Sequence, residues 1–303
     1  MASDLQGILP VLQIPFLPGN PVNAVDETSL RREVEFCIAC GADGLVIPAL
    51  ASEFMVLTDD ERRLVVEVVI QQAKGRVPVV ANVAATSTNG ALAFTRHAEE
   101  QGAAAVMALP PYLRRPGLDG VFTYYAAIAA ATTLPVVIQN APPPFGVNLP
   151  TPFLHRLIAE IPRIAYIKEE RLPPGHHISD VLACAPEGLR GVFGGTAGLY
   201  LPSELDRGGT GCMPSAAIPD ILAAVYRAHR DGDRDVARAI HGQALPLLTL
   251  EMSGLMAISK QVLVRRGVFA TTLMRDPEFP AADAGDLAEL DRLWPALTSR
   301  FAV

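Results

Sequence analysis

Ile164-Ala165-Tyr166-Ile167-Lys168-Glu169-Glu170 is the stretch from which the rest of the chain is read. Its Ile/Tyr/Ile run has the composition of a buried strand that ends in polar residues, and Lys168 stands near that end. Burying an ammonium is costly, so the group must be neutralised, paired or put to use. Lysine is rare here: Lys74, Lys168 and Lys260 are all there are, so 22 of the 25 lysine and arginine residues are arginine. Arginine stays charged at any accessible pH, whereas burial lowers the pKa of a lysine, and its free amine attacks carbonyls. Two readings follow: Schiff-base chemistry at Lys168, or a strand-end lysine that only pairs with Glu169 or Glu170.

On either side of this stretch, short apolar runs alternate with helical patterns, the signature of βα units and a parallel sheet. Eight strands are expected, at Ile8 to Phe16, Gly44 to Pro48, Val77 to Val83, Ala104 to Leu109, Pro135 to Asn140, Ile164 to Lys168, Gly191 to Gly194 and Thr210 to Pro214. Helical segments fall near 28–40, 59–74, 88–101, 118–131, 151–160, 176–185 and 199–207. Eight such repeats close a (β/α)8 TIM barrel, with functional groups at the C-terminal ends of the strands. Helical patterns at 219–231, 233–252, 254–266 and 283–300 then follow, punctuated by Gly232, Gly254, Gly267 and the pair Pro277 and Pro280. The chain divides into a barrel over 1–232 and a C-terminal helical extension over 233–303, packed together as one unit.

At 303 residues and 50% hydrophobic, the chain can bury a large α/β core. Its net charge of −7, with no basic run longer than a dipeptide, excludes nucleic acid as a partner. Pro10, Gln13 and Pro15 interrupt the apolar N-terminal stretch, which has no cationic n-region, and no span of about 20 apolar residues follows. The expectation is a cytoplasmic protein without membrane contact. Cys37 and Cys40 form a C-x-x-C inside the 28–40 helix pattern with no second Cys/His pair nearby. They read as buried helix residues, and no metal site is expected.

In a barrel, several polar groups converge on one mouth. Strand two runs into Ala49-Leu50-Ala51-Ser52-Glu53, where small residues let backbone N–H groups approach an anion and Ser52 adds a donor. Strand four ends in Pro110-Pro111-Tyr112, strand five in Gln139-Asn140-Ala141-Pro142, strand six in Lys168-Glu169-Glu170, and strand seven leads into Gly194-Gly195-Thr196-Ala197-Gly198. Each has a plainer alternative: Tyr112 as a packed aromatic, Ser52 as a cap, the prolines as loop shapers. The glycines after strand seven, with those from Gly208 to Gly211, read either as turns or as a phosphate cradle.

With these motifs in place, the chain resembles the class I aldolase-like barrels that include dihydrodipicolinate synthase and N-acetylneuraminate lyase. The likeness runs from GILPVLQIPF through DGLVIPALASEFMVLTDDER, VMALPPY, LPVVIQNAP and IAYIKEE into the tail. It implies that Lys168 forms a Schiff base with a 2-oxo acid, commonly pyruvate, and that the protein is a homotetramer built as a dimer of dimers. The departures narrow the activity. The family's usual Gly-Thr-Thr-Gly-Glu is Ala49-Leu50-Ala51-Ser52-Glu53 here, Gln139 replaces a tyrosine, and Pro144 stands where the synthases carry an arginine for a second carboxylate. These argue against dihydrodipicolinate synthesis. Ser52-Glu53, Pro110-Pro111-Tyr112, Gln139-x-Ala141-Pro142 and Glu170 resemble instead the branch that dehydrates 2-keto-3-deoxy sugar acids, in particular L-2-keto-3-deoxyarabonate; Asn140 departs from it, as an aspartate is expected there.

That resemblance implies a dehydratase in which Lys168 holds the C2 carbonyl as an imine, and Glu170 or Tyr112 moves protons. Glu170 lies on the same side of the strand as Lys168, so it either faces the imine or pairs with the lysine. Backbone N–H groups at Ala51 and Ser52 are expected to hold the substrate carboxylate, with Glu53, Gln139, Asn140, Gly194 and Gly195 completing the pocket. No metal or organic cofactor is needed, because the lysine imine is the electron sink. The alternatives are a class I aldolase releasing pyruvate, a silent 2-oxo-acid-binding paralogue and, further off, a pyridoxal phosphate enzyme.

Overall fold

Each apolar run is followed by a helix, and the first turns of the first three helices are closed by side-chain caps. The Asp26 carboxylate accepts from Ser29 N at the start of α1 (Glu27–Ala39), Thr58 and Glu61 form a reciprocal capping box on α2 (Asp59–Ala73), and Ser87 caps α3 (Thr88–Gln101), which ends on Gly102 at φ 90°. Such caps satisfy helix-end donors and set where each helix begins. In the computed structural model, which describes residues 4–19, 22–254, 256–277 and 279–303, these units build a barrel. Residues 1–3 of the N-terminal stretch and Leu255 within the expected 254–266 helix lie outside that description.

The barrel strands are β1 (Gly7–Ile8), β2 (Leu45–Ile47), β3 (Val79–Asn82), β4 (Ala105–Ala108), β5 (Val136–Asn140), β6 (Ile164–Glu169), β7 (Gly191–Gly194) and β8 (Gly211–Cys212). They run parallel in the order β1-β8-β7-β6-β5-β4-β3-β2. Val11 closes the ring by bridging both Val46 and Ser215, with Leu12 N donating to the Val46 carbonyl at 3.0 Å and Val46 N to that of Pro10 at 2.9 Å. The first strand is shorter than its apolar run suggests, because Pro10 has no N–H to give the ladder. Phe16–Leu17, beyond the rim, pairs antiparallel with Ala24–Val25 in a small ribbon instead.

The outer helices continue with α4 (Leu118–Ala130), α5 (Thr151–Glu160), α6 (Pro174–Ala183), α7 (Leu201–Asp206) and α8 (Pro219–Arg230). The chain ends in α9 (Arg234–Gly254), α10 (Met256–Arg265) and α11 (Ala284–Thr298). Side chains such as Leu9, Val46, Val80, Met107, Val137 and Phe193 fill the barrel interior, the layered packing that makes such a barrel solid rather than a pore. A separate apolar cluster joins α8 to the last three helices through Leu222, Val225, Leu247, Ile258, Val262 and Leu290. Cys37 and Cys40 are buried, and burial pushes the Cys40 thiol up to about 12, so both behave as core atoms. Among the described residues no helix is long and apolar enough to cross a membrane, and no group of three or more His, Cys, Asp or Glu side chains could hold a metal.

A buried ion pair fastens the tail to the barrel mouth. Lys260 Nζ on α10 lies 2.5 Å from Glu53 Oε1, with both side chains fully buried, and also donates to the Leu273 carbonyl at 2.7 Å. Glu53 Oε2 accepts from Arg275 N at 2.8 Å and Asp276 N at 2.9 Å. The three bonds to its carboxylate hold Glu53 at a left-handed φ of 53°, a conformation that costs a non-glycine residue energy.

Candidate active site

Side chains on a strand alternate between faces, and in a parallel pair neighbours at one register level share a face. Gln139 of β5 is level with Lys168 of β6, and Asn140 with Glu169. Gln139 and Lys168 therefore face the barrel interior, while Asn140 and Glu169 face the helices. Asn140 Nδ2 donates to Glu169 Oε2 at 2.9 Å and to the Leu149 carbonyl at 3.2 Å, and Arg171 pairs with Glu169 at 2.8 Å. This buried structural network corrects the expectation that Asn140 contacts substrate: the pleat puts it on the wrong side.

On the inner face, Lys168 is 4% exposed and its Nζ lies 3.2 Å from Glu170 Oε1. Gln139 Nε2 donates to Glu170 Oε2 at 2.8 Å, leaving Gln139 Oε1 without a partner. One carboxylate oxygen thus faces the amine and the other is held by a carboxamide. Lys168 and Glu170 line a cavity of about 290 Å³ at the C-terminal end of the barrel. Ala51 and Phe54 line it from the turn after β2, Thr196 from the loop after β7, and Phe279 from the tail. Phe279 stacks on Phe145 with ring centroids 6.0 Å apart, roofing the cavity with one ring from each part of the chain.

The remaining expected residues divide. Ser52 is fully buried; its hydroxyl donates to the Leu12 carbonyl at 2.5 Å and accepts from Ala49 N at 2.9 Å, and its own N–H donates to the Ala49 carbonyl. Its polar groups bind the turn together, and Ala51 is the member of that pair that reaches the cavity. Glu53 borders the cavity too, but its carboxylate is consumed by Lys260 and two backbone N–H groups. Tyr112 packs edge-on against Phe54 at 5.6 Å, burial raises its pKa, and it is not among the residues lining the cavity.

Gly194 and Gly195 serve close approach. A Cβ on Gly194 would sit 1.9 Å from Glu204 Oε2, and one on Gly195 would sit 2.4 Å from Glu170 Oε1. Two carboxyl groups fill the space a phosphate cradle would need. The adjoining Thr196 and Ala197 both carry left-handed φ angles, of 52° and 55°, local strain at the cavity edge.

Three polar residues near the site escape the strand-end reading. Glu204 on α7 is fully buried, neither of its oxygens has a hydrogen-bond partner, and burial, followed by the charge of Glu170, pushes its carboxyl up to about 8. It is therefore a neutral acid at pH 7. Gln13, on the stretch after β1, is fully buried with both carboxamide atoms unpartnered. Glu251 on α9 is 3% exposed, with Oε2 unpartnered. The one available signal was a polar residue within an apolar stretch, which Gln13 and Glu251, the latter between Leu250 and Met252, show and Glu204, with Ser203 before it and Asp206 two residues on, does not.

Fold and site together define the class: a (β/α)8 barrel with a buried strand-six lysine paired to a carboxylate two residues on, roofed by a helical tail. The chain belongs to the dihydrodipicolinate synthetase family, whose model matches residues 4–291 and whose members are lyases. It is 33% identical to L-2-keto-3-deoxyarabonate dehydratase of Azospirillum brasilense, covering 90% of this chain and 88% of that one. It is 37% identical to 4-hydroxy-tetrahydrodipicolinate synthase of Thermomicrobium roseum, covering 80% of this chain and 78% of that one. Among solved structures, the 4-hydroxy-tetrahydrodipicolinate synthase of Methylacidiphilum fumariolicum SolV superposes with a TM-score of 0.90 at 25% identity, covering 99% of this chain and 98% of that one.

Proposed function

We propose that the protein is a Schiff-base-forming dehydratase of a 2-keto-3-deoxy sugar acid. The observation that carries this reading is the Lys168–Glu170 contact at 3.2 Å, with Gln139 steering the same carboxylate at 2.8 Å. Lys168 Nζ adds to the C2 carbonyl and water leaves, giving a protonated imine that acidifies the C3 hydrogens. Glu170 takes one of them, the enamine expels the C4 hydroxyl, and Glu170 has that proton to return to the departing oxygen as water. Hydrolysis of the resulting imine frees the lysine. The substrate carboxylate sits at the turn containing Ala51, where the small side chain leaves the backbone approachable. The imine supplies the electron sink, so the reaction requires no metal or organic cofactor.

The likeness to a 2-keto-3-deoxyarabonate dehydratase over 90% of the chain supports this choice over synthesis, as does Pro144 in place of a carboxylate-binding arginine. The test is borohydride reduction in the presence of 2-keto-3-deoxy pentonates and hexonates, with peptide mapping of the adduct and product analysis. Reduced adduct on Lys168 together with a dehydrated 2-oxo acid is the expected result. Adduct accompanied by free pyruvate and an aldehyde reassigns the reaction to aldol cleavage, and no adduct with any substrate overturns the reading. The same proposal takes the protein to be a cytoplasmic homotetramer, which light scattering on the purified protein tests.

A further inference from the structure

We propose that Gln13, Ser215, Glu251 and Ser259 form a second polar subsite in the cavity, built to take a hydroxyl group on the far end of the substrate. This rests on the imine reading above and extends it to the part of the substrate that does not react. Gln13 lies two residues beyond Val11, so the two share the inner face, and Val11 is bridged to Ser215. Gln13 and Ser215 line the same cavity as Lys168. From the tail, Glu251 of α9 and Ser259 of α10 close that wall, and Ser259 Oγ donates to Glu251 Oε1 at 2.5 Å.

What points to a ligand is the set of atoms left over. Gln13 Nε2, Gln13 Oε1 and Glu251 Oε2 are all buried without a hydrogen-bond partner, although the Gln13 backbone is anchored through its N–H to Glu33 Oε1 at 3.0 Å. Buried polar atoms are nearly always satisfied, so three unsatisfied ones on one wall of a cavity call for a guest that completes them. One donor beside two acceptors matches a hydroxyl, which both donates and accepts. Burial raises the Glu251 carboxyl to about 6 against the opposing pull of the Ser215 and Ser259 hydroxyls, so above that pH it presents an acceptor with negative charge.

The charge pattern decides what kind of far end fits. Among the described residues lining the cavity Lys168 is the one basic group, against Glu53, Glu170, Glu251 and Asp276. A second carboxylate would meet Glu251 and Glu170 with no cation left to hold it. The substrate class is thus a monocarboxylic 2-oxo acid with a neutral, hydroxylated carbon beyond C4, rather than a diacid or an unsubstituted short 2-oxo acid.

The experiment compares 2-keto-3-deoxypentonate with 4-hydroxy-2-oxopentanoate, which keeps the C4 hydroxyl and lacks only the one on C5. Borohydride trapping on Lys168 gives a half-saturating concentration for each, independent of the chemistry that follows. In the wild type the truncated acid should bind at least roughly tenfold more weakly, as expected for losing a hydrogen bond to a charged group. The near-isosteric changes Gln13→Met and Glu251→Met, made together, should bring that discrimination to within about twofold. Equal half-saturation in the wild type, or undiminished discrimination in the variants, overturns the subsite while leaving the imine reading standing. No adduct with either acid overturns the imine reading and the subsite with it. Melting curves confirm folding, and the wild-type comparison decides by itself should a variant fail to fold.

Discussion

Replacing Glu204 with glutamine should make the protein more stable, by an amount that grows with pH. The Glu204 carboxyl is fully buried and unpartnered, and its pKa is pushed up from 4.5 to about 8. The raised pKa means that the folded state holds a proton which the unfolded state gives up. Its contribution to stability is complete below pH 4.5 and is lost as pH rises to about 8. Each pH unit within that window is worth about 1.4 kcal/mol, so at pH 7 the wild type gives up about 3 kcal/mol that a neutral carboxamide of the same shape does not. For a chain of 303 residues, that corresponds to a gap of roughly 5 °C in Tm at pH 7, shrinking to about 1 °C at pH 5. Thermal unfolding of both proteins from pH 5 to pH 8 measures it. Any packing difference between Gln and Glu appears as a constant offset, whereas the carboxyl appears as the slope. Parallel curves would refute the assignment of a neutral buried acid behind Glu170.

Changing Lys168 to alanine should abolish both borohydride trapping and turnover, and an active variant would remove every imine mechanism. Glu170→Gln should lower kcat by roughly 10² to 10⁴, the usual range for a general base, with trapping still saturable; a near-normal rate would make the 3.2 Å contact a structural pair only. Lys260→Met strands the buried Glu53 carboxylate, whose partner is 2.5 Å away, and should cost about 3–5 kcal/mol in denaturant unfolding. Adding Glu53→Gln should recover a good part of that loss, and a single variant as stable as wild type would show that the tail is held by apolar packing alone.

The barrel was legible because its signal is local and repeated: an apolar run followed by a helix, eight times over. The same regularity located Lys168, since a lone lysine in an Ile/Tyr/Ile strand conflicts with its surroundings. Glu170 was legible through the two-residue period of a strand. That period also holds the reason Asn140 belongs to the opposite face, but the start of the alternation has to be known, and the register of β5 against β6 supplies it. Pro10 marked where the first strand loses its ladder, a signal masked by the apolar residues around it.

Composition, periodicity and the placing of one lysine determined the fold class and singled out the candidate amine, because both depend on interactions between near neighbours in the chain. Which groups surround that amine was decided only by the tertiary structure. Gln13, Glu204 and Glu251 come from three distant parts of the sequence, and each is polar where its own segment gives it no partner. Ser52 and Glu53 sit in the expected loop, yet their hydrogen bonds to Leu12, Lys260, Arg275 and Asp276 turn them from ligands into fasteners. Such contacts exist only once the ring of strands has closed and the helical tail has packed over its mouth, so no local pattern encodes them.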